Sequence, residues 1–386
     1  MPRLHILPPL HVEQKEENFA CAFTGKAVRF AEMMTQEGWD CVFYHNGETD
    51  VTCCETQQIL STDDYWRERR LMEQNDKAYL SLPLLDYYGS FVQASLAPTK
   101  DRVRKHITSD QDIFCHTFGA VWLTLADEFN NQLHVETGIG YGHPWAKYRI
   151  YESYAWMTHL SGAAGKYHQS SYDFVIPNYY RQEDWKLLEH QNYVLWGNRI
   201  QEDKGINVLY EIARAMPETA FVVAGVGVPP PGLLELKNVF HVGVLTKENR
   251  KEVWSRAMCT IMPTIYFEPF GGFHVEGMMC GVPALTSDFG VFSETVIPGV
   301  NGYRCKTLGD WIKALSLVKN LDRERIQQIA RSKYSYEAVG HKYTKTFNQL
   351  LDLYGNGWMD TTKSHYVDQQ EADALTNVGN YTINRG

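Results

Sequence analysis

The sequence predicts an α/β fold of two domains, each a parallel sheet covered by helices. Short apolar runs alternate with helix-period stretches in the first half, and the same alternation restarts near residue 190. At ~150 residues per domain, 386 residues make room for two good-sized domains, with or without an appendage.

Taken in order, Leu4–Leu10 reads as a strand. Gly25–Glu37 carries apolar residues at Ala27, Val28, Phe30, Ala31, Met33 and Met34, a helical spacing stopped by Gly38. Cys41–Tyr44 is the next strand and completes a βαβ unit. Ile113–His116, Leu133–Glu136 and Phe174–Pro177 continue the series, whereas residues 55–108 are polar, aromatic and hard to place. The pattern breaks over 178–192. Tyr193–Trp196 then opens the second block as a strand, followed by a helix over Ile206–Met216 with Ile206, Leu209, Ile212 and Ala213 on one face. Phe221–Ala224, Val239–Val242, Thr260–Met262 and Pro283–Leu285 are short strands. From about 308 the chain reads as helical, and beyond Gly355 it is polar. The expected division is 1–185, 186–345 and a helix or tail over 346–386 that could cross back to the first domain.

Composition narrows the class. With 44% hydrophobic and 22% charged residues, both near ordinary globular values, disorder, collagen and coiled coil are not expected. A formal charge of −9 does not suggest attachment to nucleic acid by bulk charge. No run of 18 apolar residues is present, so no membrane span is expected, and Met1–His5 lacks a signal-peptide layout. Eight cysteines, without a Cys-x-x-Cys pair, fit reduced, buried thiols in a cytoplasmic protein.

The chemistry concentrates in Glu268-Pro-Phe-Gly-Gly-Phe-His-Val-Glu276, which continues as Gly277-Met-Met-Cys-Gly-Val-Pro283. Gly271 and Gly272 precede a short helix that must stop before Pro283. Glycines there let a ligand approach the backbone, and the N–H groups of Gly272 and Phe273 at a helix N-terminus suit a diphosphate. Glu276 lies about one turn in, ~6–8 Å from that end, roughly the step from a phosphate to a ribose. Glu268 stands before the helix, where it can meet another hydroxyl-rich group.

This string resembles the donor site of the family 4 retaining glycosyltransferases (glycosyl transferases group 1). Trp196-Gly-Asn-Arg199 with Asp203-Lys204-Gly205 is similar to that family's Gly-x-Arg…Lys-Gly segment. Val223–Gly227 is similar to its next strand and glycine loop, and Val242-Gly-Val244 to its backbone segment near the base. Ser293–Val296 and Asn301-Gly302 match its closing pattern. The resemblance covers about residues 190–305 well and the first half in outline. It implies the GT-B fold, in which two Rossmann-like domains face each other across a deep cleft. Arg199 and Lys204 would hold the nucleotide diphosphate, Glu268 the donor sugar and Glu276 the ribose. Phe270, Gly271, Gly272, Phe273 and Val244 would complete the donor site. His116 resembles the family's cleft histidine, with a buried structural histidine as the alternative, and Gly25 would face the donor phosphate or merely permit a turn.

Departures fall mainly on the acceptor side. The first loop, Thr24-Gly25-Lys26, has fewer glycines than is usual. Glu136-Thr-Gly138 stands where a His-Gly pair is common, Pro177-Asn178-Tyr179 replaces Pro-Asn-Gly, and Gly277 replaces an alanine. Lys147 and Arg149 could greet an anionic acceptor, although a wet helical face is the simpler reading. Asp110-Gln-Asp112 has a metal-binding form but precedes its strand, at the end away from a cleft. The three prolines in Gly225–Gly232 remove donors a dinucleotide would need. Asp63-Asp64 reads as a helix N-terminus.

The expectation is therefore sugar transfer from a UDP- or GDP-sugar to a hydroxyl acceptor with retention, by same-face substitution, with no metal or other cofactor. A GT-B phosphorylase or hydrolase, and a non-catalytic nucleotide-sugar-binding protein, are the alternatives. The acceptor class (glycan, lipid, protein or modified nucleic-acid base) stays open. Aromatic residues of the first half, including Tyr87, Tyr88, Tyr141, Trp145, Tyr148, Tyr151, Tyr154 and Trp156, can stack on sugars or bases or simply build the core.

Overall fold

The computed structural model describes residues 2–15, 18, 21–73, 90–165, 172–355 and 357–363. Residues Met1–Lys342 form one compact unit, which holds both sheets, and Tyr343–Gly386 a second. Tyr87, Tyr88 and most of the stretch beyond Gly355 lie outside the described residues.

The first sheet is built from β1 (Arg3–Leu7), β2 (Asp40–His45), β3 (Glu55–Gln58), β4 (Ile113–His116), β5 (Leu133–Ile139), β6 (Tyr148–Tyr151) and β7 (Asp173–Val175). Its helices are α1 (Ala22–Gln36), α2 (Thr62–Glu73), α3 (Ser90–His106), α4 (Leu123–Glu128) and α5 (Tyr154–Ala163). The strands run parallel in the order β3-β2-β1-β4-β5-β6-β7. β1 stops at Leu7 because Pro8 and Pro9 cannot donate to the ladder.

The second sheet contains β8 (Tyr193–Gly197), β9 (Ala220–Ala224), β10 (Val239–Gly243), β11 (Cys259–Met262), β12 (Ala284–Ser287) and β13 (Gly302–Cys305). The helices between and after them are α6 (Ile206–Ala215), α7 (Pro231–Leu234), α8 (Lys247–Arg256), α9 (Gly272–Met279), α10 (Phe292–Thr295), α11 (Leu308–Leu317), α12 (Arg323–Tyr334) and α13 (Tyr336–Leu353). Strand order is β10-β9-β8-β11-β12-β13, again parallel.

Burial on both faces explains the unbroken apolar strands. In β8, Val194 and Trp196 enter the core beneath α6 and α11, while Leu195 enters the core against α9 and α12. Each such side chain contributes about 1.5–3 kcal/mol of burial.

The region 55–108, unplaced from sequence, holds β3, α2 and α3. Pro98 sits inside α3 and masks its helical pattern. Asp63 and Asp64 do occupy the first turn of α2, with the Ser61 hydroxyl accepting from the Asp64 N–H at 3.1 Å. The helical-face reading of Lys147 and Arg149 is corrected. Arg149 lies on β6 and pairs with Asp173 of β7, its register partner, at 2.6 Å. Lys147 covers the Tyr148 and Tyr172 rings at 5.2 and 5.4 Å. Alternation at Tyr148, Arg149 and Ile150 is a strand period, which the flanking glycines and proline obscured.

Candidate functional site

In each sheet the strand order reverses between the first strand and its later neighbour, β1/β4 and β8/β11. Ligands of open parallel sheets bind beyond the carboxyl ends at such a switch point. The loop after β8 carries Arg199 and Lys204, and the loop after β11 carries Glu268–Gly271.

Those two loops meet. Lys204, buried at the end of a 3₁₀ turn over Glu202–Lys204, donates from Nζ to Glu268 Oε2 at 2.9 Å and to the Tyr266 hydroxyl at 2.8 Å. The Lys204 ammonium also sits 4.2 Å from the Tyr266 ring centroid. Burial, reinforced by Glu268, pushes the Tyr266 phenol far above its usual range, so it stays protonated. Arg199 is exposed, close enough for its charge to oppose that shift. Gly205 follows in the left-handed region (φ 77°), and a Cβ there would lie 1.9 Å from the Pro263 carbonyl oxygen. Only glycine lets the β8 loop pass so close to the β11 loop.

Gly271 is the second such point. It caps α9 with φ 74° and no side-chain cap, and a Cβ would crowd the His274 ring and Glu268 Cγ at 3.0–3.2 Å. The His274 N–H is bonded to the Gly271 carbonyl, while among the described residues no backbone bond occupies the Gly272 or Phe273 N–H. Two amide donors therefore stand free at the positive end of α9, beside the Lys204–Glu268 pair. One turn on, Glu276 is buried and paired with Arg250 of α8. The Arg250 guanidinium also covers the Trp254 ring at 5.1 Å.

Other expected residues take different places. Phe270 and Phe273 turn into the core, Phe270 edge-on to Tyr334 at 5.8 Å and Phe273 edge-on to Trp254 at 5.2 Å. Only their backbone is left to face a donor. Val244 follows Gly243 at the end of β10 and is exposed. Gly25 lies within α1, its N–H bonded to the Cys21 carbonyl at 3.3 Å. His116 ends β4 fully buried, its Nε2 within 2.9 Å of His134 Nδ1 and its ring edge-on to Trp145 at 4.8 Å. Burial and the neighbouring histidine hold His116 neutral, its pKa well below the usual value.

The acceptor-side departures are structural in detail. The Glu136 carboxylate accepts from the Tyr141 hydroxyl at 2.9 Å and from the Trp145 and Ala146 N–H groups at 2.8 Å. Burial raises its pKa to about 7 despite these bonds. Asp112 ties the chain start to β4, accepting from the Arg3 N–H at 2.9 Å and the Thr108 N–H at 2.7 Å. Gly225 (φ 144°) and Gly227 (φ 124°) let the β9 loop pass against the β8 loop, where a Cβ would strike Asn198 and Ile200. No cluster of three or more His, Cys, Asp or Glu placed for a metal occurs among the described residues.

Sequence reasoning missed Tyr266, Arg250 and Lys26. Tyr266 could have been found as the residue two before Glu268, whereas Arg250 and Lys26 have no local signature. Lys26 is buried in α1, with Nζ bonded to the Glu152 carboxylate and the Gly138 carbonyl.

Two parallel sheets covered by helices, with cations, a glycine-capped helix end and buried glutamates at the second switch point, define an α/β protein built of two Rossmann-like units. Residues 181–336 match the family model described as Glycosyl transferases group 1, a stretch that includes Glu268–Pro283. The glycogen synthase of Mycobacterium tuberculosis is 28% identical over 123 residues, 29% of this chain and 30% of that protein. An uncharacterised glycosyltransferase of Methanocaldococcus jannaschii, MJ1607, is 23% identical over 195 residues, 44% of this chain and 48% of that protein. The chain thus matches from 30% to 48% of the length of these curated relatives. Among solved structures, sucrose-phosphate synthase from Thermosynechococcus elongatus superposes with a TM-score of 0.63 at 15% identity, over 91% of this chain and 99% of that one. Anabaena Alr3699/HepE, solved in complex with UDP and glucose, gives 0.64 at 13% identity, over 91% and 100%. These likenesses show the fold.

Among the described residues, no helix is long and apolar enough to cross a membrane.

Proposed function

We propose that this protein is a retaining glycosyltransferase that moves a sugar from a UDP- or GDP-sugar to a hydroxyl acceptor. The observation that carries the reading is the contiguous set Lys204, Glu268 and the free Gly272 and Phe273 amides at the start of α9. A pyrophosphate placed there meets a cation and two aligned N–H donors, with exposed Arg199 at hand as a second cation. Glu268 is then freed from Lys204 to accept donor-sugar hydroxyls, and Glu276, steadied by Arg250, faces the ribose.

In same-face substitution the leaving diphosphate gathers negative charge and takes the acceptor proton. The acceptor oxygen bonds to the anomeric carbon as the sugar–phosphate bond breaks. Lys204, Arg199 and the α9 amides stabilise charge that grows in the transition state, so most of the acceleration is electrostatic. His116 and Gly25 are given no donor contact in this reading, because His116 is enclosed and the Gly25 amide is engaged in α1. Fixed cations and a helix end make a metal unnecessary.

Titration with UDP and GDP, followed by turnover of the matching sugar nucleotide, tests the reading. Lys204→Ala should lower kcat by about 10²–10³, the usual cost of one transition-state contact, and EDTA should leave wild-type turnover intact. Turnover undiminished in the variant would remove Lys204 from the mechanism.

A further inference from the structure

Four consecutive residues, Glu152–Ala155, run from the end of β6 into the first turn of α5 and bond to three separate parts of the chain. Glu152 receives the buried Lys26 of α1. Ser153 donates its hydroxyl to the Pro269 carbonyl at 2.7 Å. The Tyr154 and Ala155 N–H groups donate to the two carboxylate oxygens of Glu294, in α10, at 3.1 and 2.6 Å. A carboxylate on the exposed amides of a helix N-terminus makes charge-assisted bonds at the end the helix dipole favours. The second sheet's α10 therefore holds the start of α5, and that start holds Pro269.

Pro269 lies between Glu268, which faces Lys204, and Phe270, anchored in the core against Tyr334. Proline fixes its own φ, so the remaining freedom at this point is the orientation of the Pro269 carbonyl. Ser153, only 2% exposed, is bonded to that carbonyl. Its Oγ also accepts from the Trp156 N–H at 3.0 Å, so a single hydroxyl caps α5 and pins the loop.

We infer that Ser153 is a positioning residue for the donor loop, setting Glu268 and the α9 amides from the first sheet through its bond to the Pro269 carbonyl. The inference rests on the donor-site reading above, but its first test does not need a donor. Ser153→Asp keeps an oxygen that caps α5 and loses the hydroxyl proton given to Pro269. Ser153→Thr keeps both.

Hydrogen exchange of the peptide over 266–276 should be at least about threefold faster in Ser153→Asp than in wild type, and unchanged in Ser153→Thr. Exchange over α5 should be alike in all three. Donor KM should rise about tenfold in Ser153→Asp, with less change in kcat, and return in Ser153→Thr. Unchanged exchange over 266–276 in Ser153→Asp overturns the inference, as does equal loss in the Asp and Thr variants. A wild type that binds neither UDP-glucose nor GDP-mannose defeats the donor reading instead, and the exchange comparison then decides the role of Ser153 alone.

Discussion

Glu276 shows how far one side chain's role depends on its partner. It lies inside α9 with Arg250 as its counter-ion, so a ribose accepted there meets a carboxylate already oriented. Glu276→Ala should weaken UDP or GDP binding by about tenfold or more, about 1.4 kcal/mol. Calorimetric titration giving wild-type affinity would end the ribose assignment. Glu268 and Glu276 were legible because they flank Gly271-Gly272 in one local string, and Arg199 and Lys204 because they share a second short segment just after a strand end. Tyr266 stands two residues before Glu268 and was open to the same reading, whereas Arg250 joins the set through space and nothing in the residues around it marks it. Phe270 and Phe273 teach the converse, since their rings enter the core while only their backbone stays at the start of α9.

Loops at the sheet ends decide whether that set assembles. Gly205 lets the Lys204 turn pass the Pro263 carbonyl, at a φ that an L side chain adopts only with strain. Gly205→Ala should therefore cost about 2–4 kcal/mol, the range for backbone strain with a steric clash. A melting temperature within one degree of wild type would show that the loops can move apart freely. Most strands, together with α1 and α6, were readable at this scale, since buried parallel strands are continuous apolar runs and α6 keeps a clean apolar face, whereas β3 and β13 have no such run. α3 escaped because of Pro98. β6 escaped because four residues are too few to separate strand from helix when Arg149 finds its partner only in β7.

Across the whole molecule, buried titratable groups give opposite responses to pH. His11, His45 and His274 are held down to about 4 by burial. They stay neutral in the fold while unfolded histidine protonates near ~6.5, so their stabilisation is present above that value. It is lost as pH falls from about 6.5 to 4. Glu136, raised to about 7, favours the folded state below its unfolded value near ~4.5. That contribution disappears as pH rises through 7. Glu136→Gln should thus raise the melting temperature relative to wild type above pH 7 and not at pH 4.5, while both proteins lose about 5 °C or more between pH 6.5 and 4. Parallel curves for the two proteins from pH 4.5 to 8 would place the Glu136 carboxyl in ordinary solvent.

By itself the sequence determined two parallel α/β blocks and a glycine-opened helix start at Gly271, because periodicity and glycine placement are local properties of the chain. Only the tertiary structure decided that Lys204 faces Glu268, that Arg250 steadies Glu276, and that Ser153 reaches Pro269 from more than a hundred residues away. Such pairings arise where parallel strands end side by side, and strand order is set by the packing of whole helices and sheets, which no short stretch of residues encodes.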